Sequence, residues 1–306
     1  MGYTMKFFSG LFLLCLFAMM VQTVSAQSKT PQKIRVMTYN IMDGYDWGKD
    51  TVREKNAAEF IASEHPDVVA LEELCGFTEA KLKAFAKKWG HNYAVILKEN
   101  GYPVGITSDK PIIVKMKMID EGLGHGMLHV ITQGIDFFVV HLSPDYYQNR
   151  LKEAHLITTY MKYVLKREDS LYVVLGDFNS HSPFDAFLDK ERPMLLKMYQ
   201  RDDAKGENNL MYDQYDYSVI ATFLSYPLVD VCERMVAAKD RFSYPTPILL
   251  GHYRKPGQLV PTRERIDYIL TSPGLAKVCS FATIVNSGVV DKLSDHFPVI
   301  TDFTLP

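Results

Sequence analysis

Short apolar runs that each end in a polar residue recur along the chain. The four clearest lie at residues 33–39, 68–71, 137–140 and 172–176, and the polar residues that follow them are Asn40, Glu72 with Glu73, His141, and Asp177. Runs of this length that are rich in β-branched residues are typical of buried strands. The same pattern predicts three further strands near the carboxyl terminus, at residues 266–270, 278–285 and 299–303.

Helical spacing of apolar residues separates the early strands. Between residues 52 and 64, Ala57, Phe60 and Ile61 fall on one helical face. Residues 78–89 and 148–167 show the same period of about 3.6 residues. Because strands and helices alternate, the pattern predicts the α/β class.

The middle of the chain indicates mixed pairing of the strands. Residues 95–140 contain several strand-like pieces and no long helix. We therefore expect two packed mixed sheets with helices outside them. The least regular stretch, residues 182–226, is predicted to be a helical or irregular insertion, and it carries Tyr212, Tyr215 and Tyr217.

The first 26 residues have the layout of a secretory signal peptide. Lys6 precedes an apolar run at residues 7–21, and small residues lead up to Ala26. A membrane anchor is the alternative, because the run approaches the roughly 20 residues that span a bilayer, but the polar residues after it favour cleavage. The prediction is a catalytic domain over residues 27–306, secreted or periplasmic, with no stable membrane span after cleavage.

Composition and charge narrow the class of partner. Hydrophobic residues make up 47% and charged residues 23% of the chain, which argues against wholesale disorder. Loss of a leader that contains Lys6 and no acidic residue shifts the formal net charge from −2 to −3. A protein held to nucleic acid through phosphates usually carries a basic excess or a basic face. Local basic clusters occur at residues 110–117 and 254–265, so nucleic acid is an allowed but not a favoured partner.

The cysteines give little support to a disulfide or zinc framework. Cys75, Cys232 and Cys279 lie outside the leader, and an odd number cannot pair completely. One disulfide is allowed and none is required. No Cys-x-x-Cys pair occurs, which argues against a structural zinc site of thiolates.

Carboxylate, amide and imidazole side chains stand at the ends of the predicted strands, where α/β sheets form their binding crevices. Each has an ordinary alternative: Asp177 and Asn179 could form turns, Glu73 could lie in a solvated loop, and His141 could be an interior histidine. Together they favour a site of oxygen ligands, which suit Mg²⁺, with Mn²⁺ or Ca²⁺ as alternatives. The histidines are too few for a zinc cage, and His141 and His296 suit acid–base work.

Five motifs in a fixed order resemble those of the endonuclease/exonuclease/phosphatase superfamily, whose fold is that of deoxyribonuclease I. They are TYNI at 38–41, PDVVALEE at 66–73, GDFNS at 176–180, RIDYIL at 265–270 and SDHFPV at 294–299. The set spans nearly the whole predicted mature chain. The resemblance implies a four-layer α/β/β/α sandwich of two packed mixed sheets, with a site at one edge of the two sheets.

The resemblance also implies a metal-binding group. Glu73 and Asn40 would hold the cation, and Asp295 would be a further ligand or one that acts through water. A phosphodiester is itself anionic, so hydrolysis needs a cation on its oxygens and a base for the attacking water.

The remaining implied residues handle water and phosphate. Asp267 would orient His296, the base, and fix its tautomer. Asp177 and Asn179 would position the attacking water and the phosphate, and His141 would stabilise charge on the phosphoryl oxygens or the leaving group.

Three functions are compatible with these residues. The favoured one is a metal-dependent phosphoesterase, monoesterase or diesterase, in which a histidine-activated water attacks a small or lipid-linked extracytoplasmic phosphate in line. The second is a secreted endonuclease or exonuclease, which needs the clusters at 110–117, Lys152 and 254–265 to flank the site. The third is a non-catalytic binding protein on the same fold, although no catalytic position has been lost. A monomer is assumed.

Overall fold

The apolar runs of the sequence form two six-stranded sheets in the computed structural model, which describes residues 1–3, 31–119, 122–165 and 170–305. The predicted leader lies outside these residues apart from positions 1–3, so its cleavage stays a prediction. Across the described residues, no helix combines the length and apolarity that a bilayer span requires.

The first sheet joins the two ends of the described chain. Its strands are β1 (Gln32–Asn40), β2 (Val68–Glu72), β3 (Tyr93–Ile96), β4 (Gly105–Ser108), β13 (Cys279–Ile284) and β14 (Val299–Leu305). Their order is β13-β14-β1-β2-β4-β3. Only β1 and β2 run parallel among these pairs, so the sheet is mixed, as predicted.

The second sheet is built from the central strands and one late strand. Its members are β5 (Ile113–Met118), β6 (Met127–Thr132), β7 (Ile135–His141), β8 (Tyr172–Asp177), β11 (Val229–Asp230) and β12 (Asp267–Thr271). Their order is β11-β12-β8-β7-β6-β5, and β7 and β8 form the parallel pair. The prediction of two mixed sheets is confirmed.

Burial on both faces of the second sheet explains why the run at 137–140 of β7 is apolar without interruption. In β7, Phe137 and Val139 pack into the core shared with the first sheet, whereas Phe138 and Val140 pack into a second core. Successive side chains of a strand point to opposite faces. Because both faces of this sheet are covered, every position of the run is buried, and the run lacks the polar alternation of a half-exposed strand.

Helices cover both sheets. They are Thr51–Glu64 and Glu79–Ala86, which share the core of the first sheet, Tyr147–Val164 and Ser218–Ser225, which pack on the second, and the shorter Ala186–Lys190, Pro193–Asp203, Val231–Met235 and Pro273–Val278. Asp50 and Thr78 cap the first two helices by accepting hydrogen bonds from Arg53 N and Lys81 N. The expected α/β/β/α sandwich is therefore the observed architecture.

Several predicted boundaries were wrong by a few residues. The helix expected at 148–167 is Tyr147–Val164, because Leu165 has extended ψ, and residues 166–169 lie outside the described chain. Val278 ends a helix that begins at Pro273 and is capped by Ser272, so β13 begins one residue later than predicted. The insertion at 182–226 is largely helical and also contains a hairpin of β9 (Leu210–Met211) and β10 (Gln214–Tyr215).

The three described cysteines outside the leader are free thiols. Cys75, Cys232 and Cys279 are all buried and unpaired with one another. Burial raises the pKa of the Cys75 thiol to about 12, with a further contribution from Glu73. An inert, buried role fits such a thiol.

Candidate active site

Strand register brings the predicted side chains together at one edge of the two sheets. In the parallel pair β7 and β8, His141 lies beside Asp177, and in the antiparallel pair β8 and β12, Asp177 lies beside Asp267. In the first sheet, the end of β1 places Asn40 beside Glu72. The ends of five strands therefore converge, which is why residues far apart in sequence form one site.

Asn40 links the two sheets directly. Its Nδ2 donates hydrogen bonds to Glu73 Oε1 at 3.1 Å and to Asp177 Oδ2 at 3.0 Å, and the amide is fully buried. Its Oδ1 accepts from Met42 N at 3.0 Å. A buried amide with these partners is satisfied on both sides, so its position is fixed rather than adjustable.

An unusual left-handed segment follows β1 and supports Glu73. From Asp43 to Trp47 every residue has φ between +52° and +61°. Such a backbone costs about 1–2 kcal/mol for each residue that carries a Cβ. Gly44 lies against the carbonyl of Cys75 so closely that a Cβ there would collide with it. The turn directs Asp43 N onto Glu73 Oε2 at 2.7 Å.

Glu73 sits just beyond β2 with φ +58°, partly exposed to the cleft. Burial, and then the charge of Asp295, raise the pKa of its carboxyl group. The alternative of a solvated loop is therefore wrong for this segment. Glu73 and Asp295 both line the cleft, and neither is ion-paired to a lysine or arginine among the described residues, so the two carboxylates are candidate ligands for a cation.

His296 and Asp267 form a tight pair. His296 Nδ1 lies 2.9 Å from Asp267 Oδ2, and the opposite ring nitrogen, Nε2, lies 3.7 Å from Asp177 Oδ2. Burial lowers the pKa of the imidazole, but the charges of Asp267, Asp177 and Asp295 outweigh it and raise that pKa well above its ordinary value. His296 is therefore a stronger base than a free histidine.

The loop that carries His296 is tied to the first sheet. Ser294 Oγ donates to Asn40 O at 2.6 Å, and it also accepts from His296 N at 3.3 Å. Asp295, between them, is partly exposed and lines the cleft. Asp295 and His296 are therefore neighbours in the chain that act on different residues. The charge of Asp295 acts on Glu73, and His296 pairs with Asp267.

His141 is neutral in this setting. It is 4% exposed, and its ring stacks on that of His125 with 4.4 Å between centroids. Burial, and then His125 and His296, lower its pKa well below the ordinary value. Its Nε2 lies 3.6 Å from Asp177 Oδ2, and its Nδ1 has no hydrogen-bond partner among the described residues.

Asp177 and Asn179 form a compact turn at the end of β8. Asn179 N donates to Asp177 Oδ1 at 2.8 Å, which the positive φ of Asn179, +47°, makes possible. Asn179 Nδ2 donates to Leu142 O at 3.0 Å. Burial and the neighbouring Asp267 raise the pKa of Asp177 to about 8.

Glu72 lies beneath the site, and sequence reasoning had given it little weight. It is fully buried, accepts a hydrogen bond from Thr38 Oγ1 at 2.7 Å, and leaves Oε2 without a partner among the described residues. Burial raises its pKa well above the ordinary value. A carboxyl group in this position is held in its neutral form.

The cleft above these residues has a volume of about 590 Å³, within the usual range for small-molecule sites. Six of the eight predicted site residues line it, namely Glu73, His141, Asp177, Asn179, Asp295 and His296. Asn40 and Asp267 lie behind this surface and hold its members. The residues that line the cleft and were not predicted include Tyr102, His125, Tyr199, Tyr244, Arg254 and Glu264.

The donor set suits a hard cation. Asp177, Asp267 and His296 each offer an atom within 4.8 Å of the others, and the carboxylates of Glu73 and Asp295 line the cleft. Asp267 Oδ1 has no hydrogen-bond partner among the described residues. Oxygen donors dominate, which matches Mg²⁺, Mn²⁺ or Ca²⁺ better than zinc. Asn40 directs its amide nitrogen toward the carboxylates, and its Oδ1 accepts a hydrogen bond from Met42 N. In this orientation the oxygen of Asn40 does not point to the candidate cation site.

The basic clusters do not surround the cleft. Lys110 and Lys117 pair with Asp109 and Glu79 near the β5 edge, and Lys152 lies on the exposed side of the helix Tyr147–Val164. Of the second cluster, Arg254 lines the cleft, whereas Arg265 is buried between acidic residues. Of the basic residues in these two clusters that the structure describes, Arg254 is the one that lines the cleft, where a nuclease would use positive charge.

The site lies at one edge of a two-sheet sandwich and contains buried acids and histidines. The sequence matches the Endonuclease/Exonuclease/phosphatase family over residues 37–296, and the chain belongs to that family. Membership places it among hydrolases of phosphoric ester bonds. None of the curated proteins compared with this sequence matches it.

Solved structures share the fold at low sequence identity. An AP endonuclease from Archaeoglobus fulgidus is 18% identical, with a TM-score of 0.66 over 88% of this chain and 99% of that one. TDP2 from D. rerio, complexed with single strand DNA product, is 17% identical, with a TM-score of 0.61 over 89% and 99%. The 3′ phosphatase NExo from Neisseria, bound to a product DNA hairpin, is 16% identical, with a TM-score of 0.61 over 88% and 99%.

Proposed function

We propose that the protein is a metal-dependent phosphoesterase that hydrolyses a small or lipid-linked phosphate ester outside the cytoplasm. The single observation that carries the mechanism is the His296–Asp267 pair at 2.9 Å, with His296 Nε2 turned toward Asp177 in the cleft. A histidine oriented in this way by a carboxylate is suited to removing a proton from an attacking water.

The residues divide the work of hydrolysis by position. Asp267 holds the proton on His296 Nδ1, so that the neutral ring accepts the proton of water at Nε2. The carboxylates that raise the pKa of His296 then stabilise the imidazolium that results. Asp177 lies 3.7 Å from that nitrogen and orients the water, while Asn179 contacts the phosphate. Neutral His141 donates a hydrogen bond to a phosphoryl oxygen or to the leaving group.

Glu73 and Asp295 would hold the cation, with Asn40 fixing Glu73 from behind. Mg²⁺ is the expected ion, with Mn²⁺ or Ca²⁺ as alternatives. When bound, the ion supplies positive charge to the phosphoryl oxygens.

The substrate class follows from charge and shape. The cleft is closed enough to bind one ester group, and Arg254 is the one described lining residue with a permanent positive charge. An extended polyanion would find few phosphate contacts there. Because export is predicted, we expect the substrate to lie outside the cytoplasm. We assume a monomer.

A secreted nuclease is the second candidate, and one observation favours it: the similar structures of TDP2 and NExo hold DNA products. The distribution of basic residues argues against it. A non-catalytic binding protein is a third candidate. Against it, no predicted catalytic residue is missing, and four of the five, His141, Asp177, Asn179 and His296, line the cleft.

The first experiment presents purified protein, with Mg²⁺ or with a chelator, to plasmid DNA, RNA, sphingomyelin, an aryl phosphodiester and an aryl phosphomonoester. We expect turnover of small or lipid esters that chelation abolishes and Mg²⁺ restores. Rapid nicking of DNA would overturn the substrate class, and activity that survives chelation would overturn the metal.

The second experiment replaces the base. His296→Ala should lower turnover by orders of magnitude, and Asp177→Asn should do the same, without loss of folded structure by circular dichroism. The matched controls are His155→Ala and Asp213→Asn, whose side chains are exposed and away from the cleft. Near-normal rates in His296→Ala would refute the assignment.

A further inference from the structure

The cleft extends beyond the catalytic residues along a wall built by the insertion. From His296 the lining continues to Tyr244, whose ring centroid lies 5.0 Å from that of the imidazole. Tyr244 pairs with Glu264 through two backbone hydrogen bonds, of 3.0 and 2.7 Å. Tyr199, on the helix Pro193–Asp203, then joins Glu264 through its hydroxyl at 2.7 Å. The insertion is thereby attached to the catalytic edge.

This wall carries apolar side chains beside the polar groups of Asp202, Arg254 and Glu264. Its carbon surface comes from Leu195 and Met198 on the insertion helix, from Leu249 and Ile266, and from the rings of Tyr199 and Tyr253. Apolar surface that lines a site gains free energy when a ligand covers it. No catalytic task in the proposed hydrolysis uses these side chains.

Glu264, the carboxylate in the wall, already has partners. Glu264 Oε2 accepts hydrogen bonds from Tyr199 and from His181 Nε2, the latter at 2.8 Å. His181 also lies 3.0 Å from Asp189 through Nδ1, and Tyr217 donates to the same Asp189 oxygen at 3.0 Å.

Burial lowers the pKa of His181, but Asp189 and Glu264 outweigh it and raise that pKa to about 10. His181 is therefore a cation between two anions, and this buried network holds Tyr199 in place. Because Glu264 is already hydrogen-bonded within this network, we do not expect it to bind a charged ligand.

At the rim Asp202 is ion-paired, whereas Arg254 has no ion-pair partner among the described residues and its buried Nε has no hydrogen-bond partner there. Asp202 accepts from Lys205 Nζ at 2.9 Å, and Arg254 Nη1 donates to Tyr253 O at 3.2 Å. Tyr253 is 71% exposed, which puts it at the mouth of the cleft. The wall thus offers a ligand both carbon surface and the positive charge of Arg254.

From this arrangement, which rests on the proposed phosphoester hydrolysis, we infer that the wall is a subsite for an apolar ester group. The preferred substrate is then a phosphate ester of an apolar alcohol, with the phosphate at His296 and Asn179 and the carbon skeleton against Met198, Leu249 and Tyr253. A role in substrate selection explains the presence of the insertion in a fold whose catalytic residues lie elsewhere.

The experiment measures binding of non-hydrolysable phosphonates by calorimetry in the presence of Mg²⁺. Methyl-, butyl- and hexylphosphonate vary the chain length, phenylphosphonate supplies an aryl group, and the 5′-phosphonate analogue of thymidine 5′-phosphate supplies a nucleotide. Each methylene that enters the subsite should tighten binding about fourfold, equivalent to about 0.8 kcal/mol. The comparison of hexyl with phenyl then distinguishes an alkyl from an aryl alcohol.

Variants of the wall test its location. Met198→Ser and Tyr253→Ser should each reduce the ratio of hexyl to methyl affinity severalfold. The matched control is Met194→Ser, which lies on the same helix, 38% exposed and outside the cleft lining, and should keep the wild-type ratio. Melting temperatures confirm that the variants are folded.

Three results would overturn the subsite: equal affinity for methyl- and hexylphosphonate, tighter binding of the nucleotide than of hexylphosphonate, or no binding by any phosphonate. The proposed hydrolysis fails separately, if no phosphate ester is turned over while the chain-length dependence persists. Turnover without chain-length dependence would sink the subsite and leave the hydrolysis standing.

Discussion

Replacement of Arg265 by methionine should destabilise the protein strongly, although Arg265 does not line the cleft. Its guanidinium donates through Nε to Asp185 Oδ2 at 2.6 Å, and through Nη1 and Nη2 to the two oxygens of Asp230 at 3.1 and 2.7 Å. The side chain is 1% exposed, as is that of Asp230. The ion group joins the insertion and β11 to the start of β12.

The magnitude follows from burial. Removing one partner of a buried ion pair leaves an uncompensated charge and costs about 3–5 kcal/mol. Asp185 keeps Arg241, at 3.2 Å, so the unpaired charge is chiefly that of Asp230. At about 2–4 °C per kcal/mol for a large domain, Arg265→Met should melt roughly 6–20 °C lower.

The assay is urea unfolding followed by circular dichroism, with the slope of the transition as a check that the same surface is exposed. The control is Arg201→Met, because Arg201 pairs with Asp202 at the surface and its loss should leave the midpoint unchanged. A second variant, Arg265→Met with Asp230→Leu, removes both charges and should recover much of the loss. A loss below about 1 kcal/mol in the single variant, or a double variant less stable than the single, would refute the reasoning.

Two further predictions concern the catalytic pair and the first sheet. Asp267→Asn should lower kcat by about 10²–10⁴-fold by disturbing the tautomer of His296, with little change in melting temperature; steady-state hydrolysis of an aryl phosphodiester checks this, and a loss under tenfold would contradict it. Burial opposes ionisation of Asp302, but hydrogen bonds from Arg35 and Lys33 outweigh it and lower its pKa. The stability gained from the ionised form is therefore present above about pH 4 and lost as the pH falls through the lowered pKa. Asp302→Asn should lose stability at pH 7 and show less acid sensitivity between pH 4 and 2, and an unchanged acid profile would count against the pair.

The frame of the fold was predictable because it depends on local pattern. Strands β1, β2, β7 and β8 are continuous apolar runs, and each run ends within one residue of its predicted boundary. The sequence pattern therefore placed the polar residue after each run at the correct edge of its sheet. The pairing of His141 with Asp177, and of Asp177 with Asp267, then followed from register.

The features that were missed depend on contacts between distant segments. The left-handed turn at Met42–Gly48 has no period that a sequence pattern would show, and it is held by Asn40 and Glu73. His125 reaches the site only because its ring stacks on His141. Arg254 and Tyr199 come from irregular or inserted segments, where the spacing of apolar residues does not predict which way a side chain points.

The amide of Asn40 has a consequence for the mechanics of the fold. It belongs to the first sheet, yet it holds Asp177 of the second. Glu73 and Asp295 come from the first-sheet side of the same seam, whereas His141 and Asp267 come from the other. A ligand that contacts both groups therefore links the two sheets of the sandwich. Its binding raises the free energy of unfolding by RT ln(1 + [L]/Kd), about 2.7 kcal/mol at a hundredfold excess over Kd. Loss of the Asn40 side chain would remove a hydrogen bond between the same two sheets that such a ligand links.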